Sequence, residues 1–127
     1  MIRIKLLFIC SRNKWRSLTA ETIFQGVGGH EVRSAGTEEY ARIKVNEGHV
    51  GWADLIFAME KKHVRRLQDR FSHALINKKV ICLHIPDDYG YMDEDLIGLL
   101  QSGVSEYIEV SEYDTGRKRV SKNGAAL

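Results

Sequence analysis

Cys10 and Arg16 are separated by five residues, Ser11-Arg12-Asn13-Lys14-Trp15, and the chemistry such a pair can do is nucleophilic attack on phosphorus. The apolar run Leu6-Leu7-Phe8-Ile9 leads into Cys10. A helical pattern starts directly after Arg16, with Ala20, Ile23, Phe24 and Val27 at i, i+3, i+4 and i+7. Strand, tight loop and helix N-terminus together make an anion site, because unpaired N–H groups converge there and the helix dipole adds positive potential. Thiolates are favoured in the same setting. The planar fork of an arginine can hold two oxygens of a tetrahedral dianion at once. Cys10 therefore reads as a nucleophile aimed at a phosphate cradled by Ser11, Arg12, Asn13, Lys14, Trp15, Arg16 and Ser17. The competing reading is a buried cysteine acting as a small hydrophobe. It leaves Arg12, Lys14 and Arg16 crowded into one short loop without a reason.

Four blocks in order give this stretch a context. They are Leu7-Phe8-Ile9-Cys10 with Asn13, Arg16-Ser17, Ala20-Glu21 and Phe24; Ser34-Ala35-Gly36-Thr37; Ala53-Asp54-Leu55-Ile56-Phe57-Ala58-Met59-Glu60; and Ile85-Pro86-Asp87-Asp88-Tyr89. Over roughly the first hundred residues the chain thus resembles the low-molecular-weight protein tyrosine phosphatases. The resemblance implies hydrolysis of phosphate monoesters, phosphotyrosine in proteins first among them, through a cysteinyl-phosphate and without cofactor or metal. It implies that Cys10 is the nucleophile, Arg16 the clamp and Asp87 the acid that protonates the leaving oxygen. Asp88 stands where the family has proline and is the rival for that role. Ser17 would donate to the thiolate, and Asn13 would take the left-handed conformation that curls the loop. Tyr89 and Tyr91 would form an aromatic wall beside an aryl phosphate, although either could equally serve the core.

The chain also departs from the family. Arg12 replaces a glycine, and Trp15 replaces a second cysteine that would guard the nucleophile from over-oxidation. The histidine that the family places just ahead of an Ala-Arg pair has no counterpart before Ala41-Arg42. Two other functions fit the same scaffold. An arsenate reductase needs a relay of cysteines, and only Cys82 remains beside Cys10. A phosphate-binding regulatory module would keep the cradle and lose turnover. The five histidines (30, 49, 63, 73 and 84) lack ligand-like spacing and are expected on the surface or in loops.

The elements that must position these residues read as an α/β fold: a three-layer, four-stranded parallel sheet with helices on both faces, of the phosphotyrosine phosphatase I-like kind the resemblance implies. Strands are expected at Ile2–Ile9, Glu31–Ser34, Leu55–Met59 and Val80–Ile85. Gly28-Gly29 would end the first helix, and Asp93 would begin the last, with Leu96, Ile97, Leu100, Val104, Tyr107 and Ile108 inside. A basic helix carries Lys61, Lys62, Arg65, Arg66 and Arg70 on a solvated face, opposite Val64, Leu67 and Phe71. Residues 1–112 form a single domain in this reading, and 113–127 a polar basic tail. Hydrophobic content of 43%, charged content of 28% and a net charge of +2 suit an ordinary globular protein and give no reason to expect nucleic acid. The absence of a signal peptide or membrane-length apolar run, and two well-separated cysteines, point to the cytoplasm. The expected partners are a phosphorylated protein or a small aryl phosphate. The sequence says nothing of the oligomeric state.

Overall fold

An apolar run such as Leu6–Cys10 is buried completely only by a strand covered on both faces. In the computed structural model, which describes residues 3–108, the run forms β1 (Lys5–Cys10). The chain continues through α1 (Arg16–Phe24), a 3-10 turn (Val27–Gly29), β2 (Glu31–Gly36), α2 (Glu47–Trp52), β3 (Leu55–Ala58), α3 (Lys61–Phe71), β4 (Lys79–Cys82) and α4 (Glu94–Val104). All four strands are parallel, in the order β2-β1-β3-β4.

Alternation along β1 sets the layers. Leu6, Phe8 and Cys10 face a core shared with Ala20, Ile23 and Phe24 of α1 and Leu96, Leu100 and Val104 of α4. Leu7 and Ile9 face Val50 of α2 and Leu67 of α3 on the other side. Phe8 stacks between Phe24 and Phe57, with ring centroids 5.6 and 5.1 Å away. Each such pair adds about 0.5–1.5 kcal/mol beyond burial. The expected three-layer α/β sheet is the observed one.

Several boundaries differ from expectation for local reasons. α1 stops at Phe24, short of Val27, because Gly26 takes a left-handed φ of 78°. The Gln25 side chain then brackets Val32 on the edge strand, donating to its carbonyl at 2.9 Å and accepting from its N–H at 3.3 Å. β4 ends at Cys82 because His84 turns left-handed, yet the N–H groups of Leu83 and Ile85 still reach the Ala58 and Met59 carbonyls at 2.8 Å. Asp93 caps α4 as expected, its carboxylate accepting from the N–H groups of Asp95 and Leu96. Tyr107 is not part of the buried stripe; it lies exposed, edge-on to Phe57. Among the described residues no helix is long and apolar enough to cross a membrane. The proposed domain end at 112 and the basic tail lie outside the described residues.

The strand order reverses between β1 and β3, and open sheets of this kind bind ligands beyond the carboxyl ends of their strands at such a point. Cys10 ends β1, Glu60 follows β3 closely, and Asp87 follows β4.

Candidate active site

The loop after β1 is turned inside out by its surroundings. Asn13 adopts a left-handed φ of 55°, a conformation asparagine tolerates. The carbonyls of Cys10, Ser11 and Arg12 point outward and accept from the N–H groups of Thr37, Glu38 and Arg42 at 3.0, 2.9 and 2.9 Å. The Asn13 carbonyl accepts from the Arg42 guanidinium at 3.3 Å. The N–H groups of Arg12, Lys14, Trp15 and Arg16 have no partner among the described residues. Gly36 backs the loop so closely that a Cβ there would lie 2.5 Å from the Ser11 carbonyl oxygen and 2.9 Å from the Arg12 carbonyl carbon. Only glycine fits.

Cys10 is buried, and its sulfur takes two polar contacts. The Asn13 N–H donates at 3.2 Å, and the Ser17 hydroxyl lies 3.0 Å away. The Asn13 amide nitrogen donates to both Ser17 and Ser34 at 2.8 Å. With its oxygen accepting from Asn13, Ser17 has its proton left for the sulfur. The Ser34 hydroxyl in turn donates to Glu21 Oε1.

Arg16 is 2% exposed and clamped from behind. Its Nη1 donates to Glu60 Oε1 at 2.6 Å and to the Ile85 carbonyl at 2.8 Å. Its Nε lies 3.7 Å from Asp87 Oδ1, and Nη2 has no protein partner among the described residues. Burial alone would raise the Glu60 carboxyl pKa. The hydrogen bond and charge of Arg16, helped by Lys62 and His63, outweigh it and hold the group below its ordinary value.

His63 corrects the expectation that the histidines are surface or loop residues. It is fully buried on the inner face of α3, and His30 is buried too. His63 Nδ1 accepts from the Glu60 N–H at 3.0 Å, so in the neutral ring Nε2 carries the proton and donates to Ser11 Oγ at 2.9 Å. Burial first, then the Arg16 charge, lower its pKa from 6.5 to about 4, against the opposing pull of Glu60. The basic face of α3 is not wholly solvated either. Arg66 donates to the Thr37 hydroxyl at 3.3 Å and Arg70 to the Thr37 carbonyl at 2.7 Å. α3 therefore braces the loop twice, through Ser11 and through Thr37. Its expected apolar stripe is thinner than its sequence suggests, since Val64 and Phe71 are only half-buried.

Cys10, Ser11, Arg12, Lys14, Trp15, Arg16 and Asp87 line a small cavity of about 30 Å3. Asp87 thus stands over the loop, whereas its exposed neighbour Asp88 does not line the cavity. Arg12 points outward, 70% exposed and 3.6 Å from Glu38. Neither expected wall tyrosine reaches this cavity: Tyr89 packs on the core, and the Tyr91 hydroxyl lies 2.9 Å from the Thr22 hydroxyl on α1. Trp15, 41% exposed, is the aromatic side chain at the mouth. Sequence reasoning missed the roles of His63 and Arg42. The Glu60-Lys61-Lys62-His63 spacing, a helix-start pattern in which position three reaches back to the cap, was the available signal for His63.

No family model matches the chain, and no curated protein matches it. Solved structures do. The tyrosine phosphatase Wzb from Escherichia coli, in complex with phosphate, superposes with a TM-score of 0.66 at 21% identity, over 84% of this chain and 96% of that one. A low molecular weight phosphotyrosine phosphatase from Vibrio cholerae gives a TM-score of 0.63 at 23% identity, over 79% and 91%. The YwlE arginine phosphatase from Geobacillus stearothermophilus gives 0.54 at 21% identity, over 81% and 84%. The chain has the fold of these phosphatases.

Proposed function

We propose that this chain is a phosphate-monoester hydrolase working through a cysteinyl-phosphate, with phosphotyrosine in proteins as the substrate class. The observation that carries the reading is the position of Cys10 Sγ, in contact with the Asn13 N–H and the Ser17 hydroxyl at the base of a loop in which the carbonyls of residues 10–13 are bonded to the surrounding framework. That arrangement suits a thiolate below a tetrahedral dianion. The thiolate attacks phosphorus while the loop N–H groups and the Arg16 fork hold the three equatorial oxygens. Asp87 gives its proton to the departing oxygen. It then takes one from the water that attacks the cysteinyl-phosphate, so the thiolate returns and inorganic phosphate leaves. These donors neutralise the developing charge, and the reaction is expected to need no metal. A serine-for-cysteine mutant of the structurally similar YwlE carries a phosphorylated active site serine, which supports a covalent route on this fold. A free thiolate nucleophile also suits a reducing compartment such as the cytoplasm.

An arsenate reductase relay is disfavoured by the register. Ile9 pairs with Ala58, and Ala58 with Cys82, which puts Cys82 two strands from the end of β1. Two strand spacings are about 10 Å, too far for a disulfide without backbone movement.

The test is a burst assay with p-nitrophenyl phosphate. Wild type should release one equivalent of nitrophenol rapidly, and Cys10→Ser should lose turnover yet still bind phosphate. Undiminished hydrolysis by Cys10→Ser would falsify the covalent mechanism.

A further inference from the structure

The rim of the cavity carries two cations beside the one that faces the cradle. The residues that line it include three cations, Arg12, Lys14 and Arg16, and one carboxylate, Asp87. Arg16 is already committed, clamped by Glu60 behind and facing the cradle. The other two are rim groups. Arg12 is 70% exposed, and its contact with Glu38 is a solvent-exposed pair at 3.6 Å that a competing anion can displace. Lys14 makes no ion pair among the described residues; its Nζ lies 5.5 Å from the centre of the Trp15 ring. Trp15 is itself half-exposed beside the cavity. The rim thus offers an aromatic side chain with Lys14 over its ring, and a second cation, Arg12, on the same cavity, neither held by a buried ion pair.

We propose that this rim selects phosphotyrosine flanked by aspartate or glutamate in the substrate protein. The inference rests on the phosphatase reading above and names the substrate class of the same site. The substrate ring packs beside Trp15, and carboxylates on neighbouring residues pair with Lys14 and Arg12. Charge complementarity of this kind both steers the encounter and rejects wrong partners. Basic flanks, and the guanidinium of a phosphoarginine, meet two cations and are disfavoured.

Three phosphotyrosyl peptides of one length, with glutamate, alanine or lysine flanks, and one phosphoarginyl peptide with alanine flanks, decide the matter. At low salt the glutamate peptide should exceed the alanine peptide in kcat/KM by roughly tenfold, since two partly exposed pairs each contribute weakly. The advantage should fade at about 1 M salt, where the screening length is near 3 Å. In Lys14→Glu the ratio of glutamate to lysine peptide should invert. That ratio is taken within one protein, so a change in rate common to both peptides cancels. Equal rates for the three flanks, an unmoved ratio in Lys14→Glu, or better turnover of the phosphoarginyl peptide than of the alanine phosphotyrosyl one overturns the proposal. Calorimetric binding of the same peptides to Cys10→Ser separates this inference from the function it rests on. A wild type without turnover, together with tighter binding of the glutamate peptide, sinks the hydrolase reading and keeps the rim. Equal binding of all peptides sinks the rim.

Discussion

His63 Nε2 lies 2.9 Å from Ser11 Oγ, so a fully buried histidine on α3 holds the first residue after Cys10. Protonation would add a second ring donor where the Glu60 N–H already donates, and would place a cation near Arg16. The folded pKa lies below the ordinary value, so the unfolded chain takes up the proton first as pH falls. The contribution to stability is therefore complete above about 6.5 and is lost progressively towards about 4. Urea midpoints should fall across that window in wild type and fall less in His63→Gln, which can still donate to Ser11. Parallel pH profiles for the two proteins would remove His63 from this account.

Arg16→Lys keeps the charge and loses the fork. A point charge cannot satisfy Glu60 and the Ile85 carbonyl behind while holding phosphoryl oxygens in front. Turnover of p-nitrophenyl phosphate should fall by on the order of a hundredfold, as it does when one transition-state donor is removed. A loss under about threefold would mean that Arg16 does not touch the substrate.

Gly36→Ala tests the backing of the loop. A Cβ at 2.5 Å from the Ser11 carbonyl cannot be accommodated unless the loop moves. Overpacking of this kind costs typically 1–3 kcal/mol, and phosphate affinity should drop with it. A variant with wild-type thermal stability and phosphate binding would show that the loop yields freely.

Asp87→Asn should slow phenyl phosphate far more than p-nitrophenyl phosphate, because a good leaving group departs without a proton. Asp88, outside the cavity lining, should give no such dependence when changed to asparagine. If only the Asp88 variant shows it, the acid moves by one residue and the covalent mechanism stands.

Cys10 and Cys82 are both free thiols with no bridge between them. Peroxide oxidation of Cys10 therefore has no internal resolving thiol to stop it at a disulfide. Inactivation should become irreversible to thiol reductants as exposure lengthens, with sulfinic acid at Cys10 by mass spectrometry. Full recovery with dithiothreitol after prolonged exposure would contradict this.

The parts of the site legible in the sequence are those built by neighbours along the chain. The apolar run, the loop and the helix start announced Cys10 and Arg16, and the left-handed Asn13, implied by the resemblance, is a conformation asparagine tolerates. The parts that were not legible come from elsewhere. Glu60, recognised only as an acidic residue after a strand, acquires its role because β3 is paired to β1, an adjacency no local pattern reveals. His63 is expected on the surface or in a loop because the histidines lack ligand-like spacing, yet its position on the inner face of α3 buries it. Arg12 could have entered the cradle or left it; the bond its carbonyl accepts from the Arg42 N–H and its contact with Glu38 take it outward. The tyrosines were assigned by resemblance, and Thr22 on α1 lies against Tyr91 instead.

The outward-turned carbonyls of residues 10–13 bear on the end of the reaction as much as on its beginning. A loop fixed by its own framework before an anion arrives gives up little conformational freedom on binding. That benefit does not distinguish a phosphate ester from what is left after hydrolysis. In the proposed reaction inorganic phosphate, the last species to leave, would meet the same donors as the substrate, and sulfate or vanadate in a buffer would meet them too. For the hydrolase proposed above, the rigidity that readies the cradle for attack would bring product inhibition with it, and phosphate release is the expected slow step of turnover.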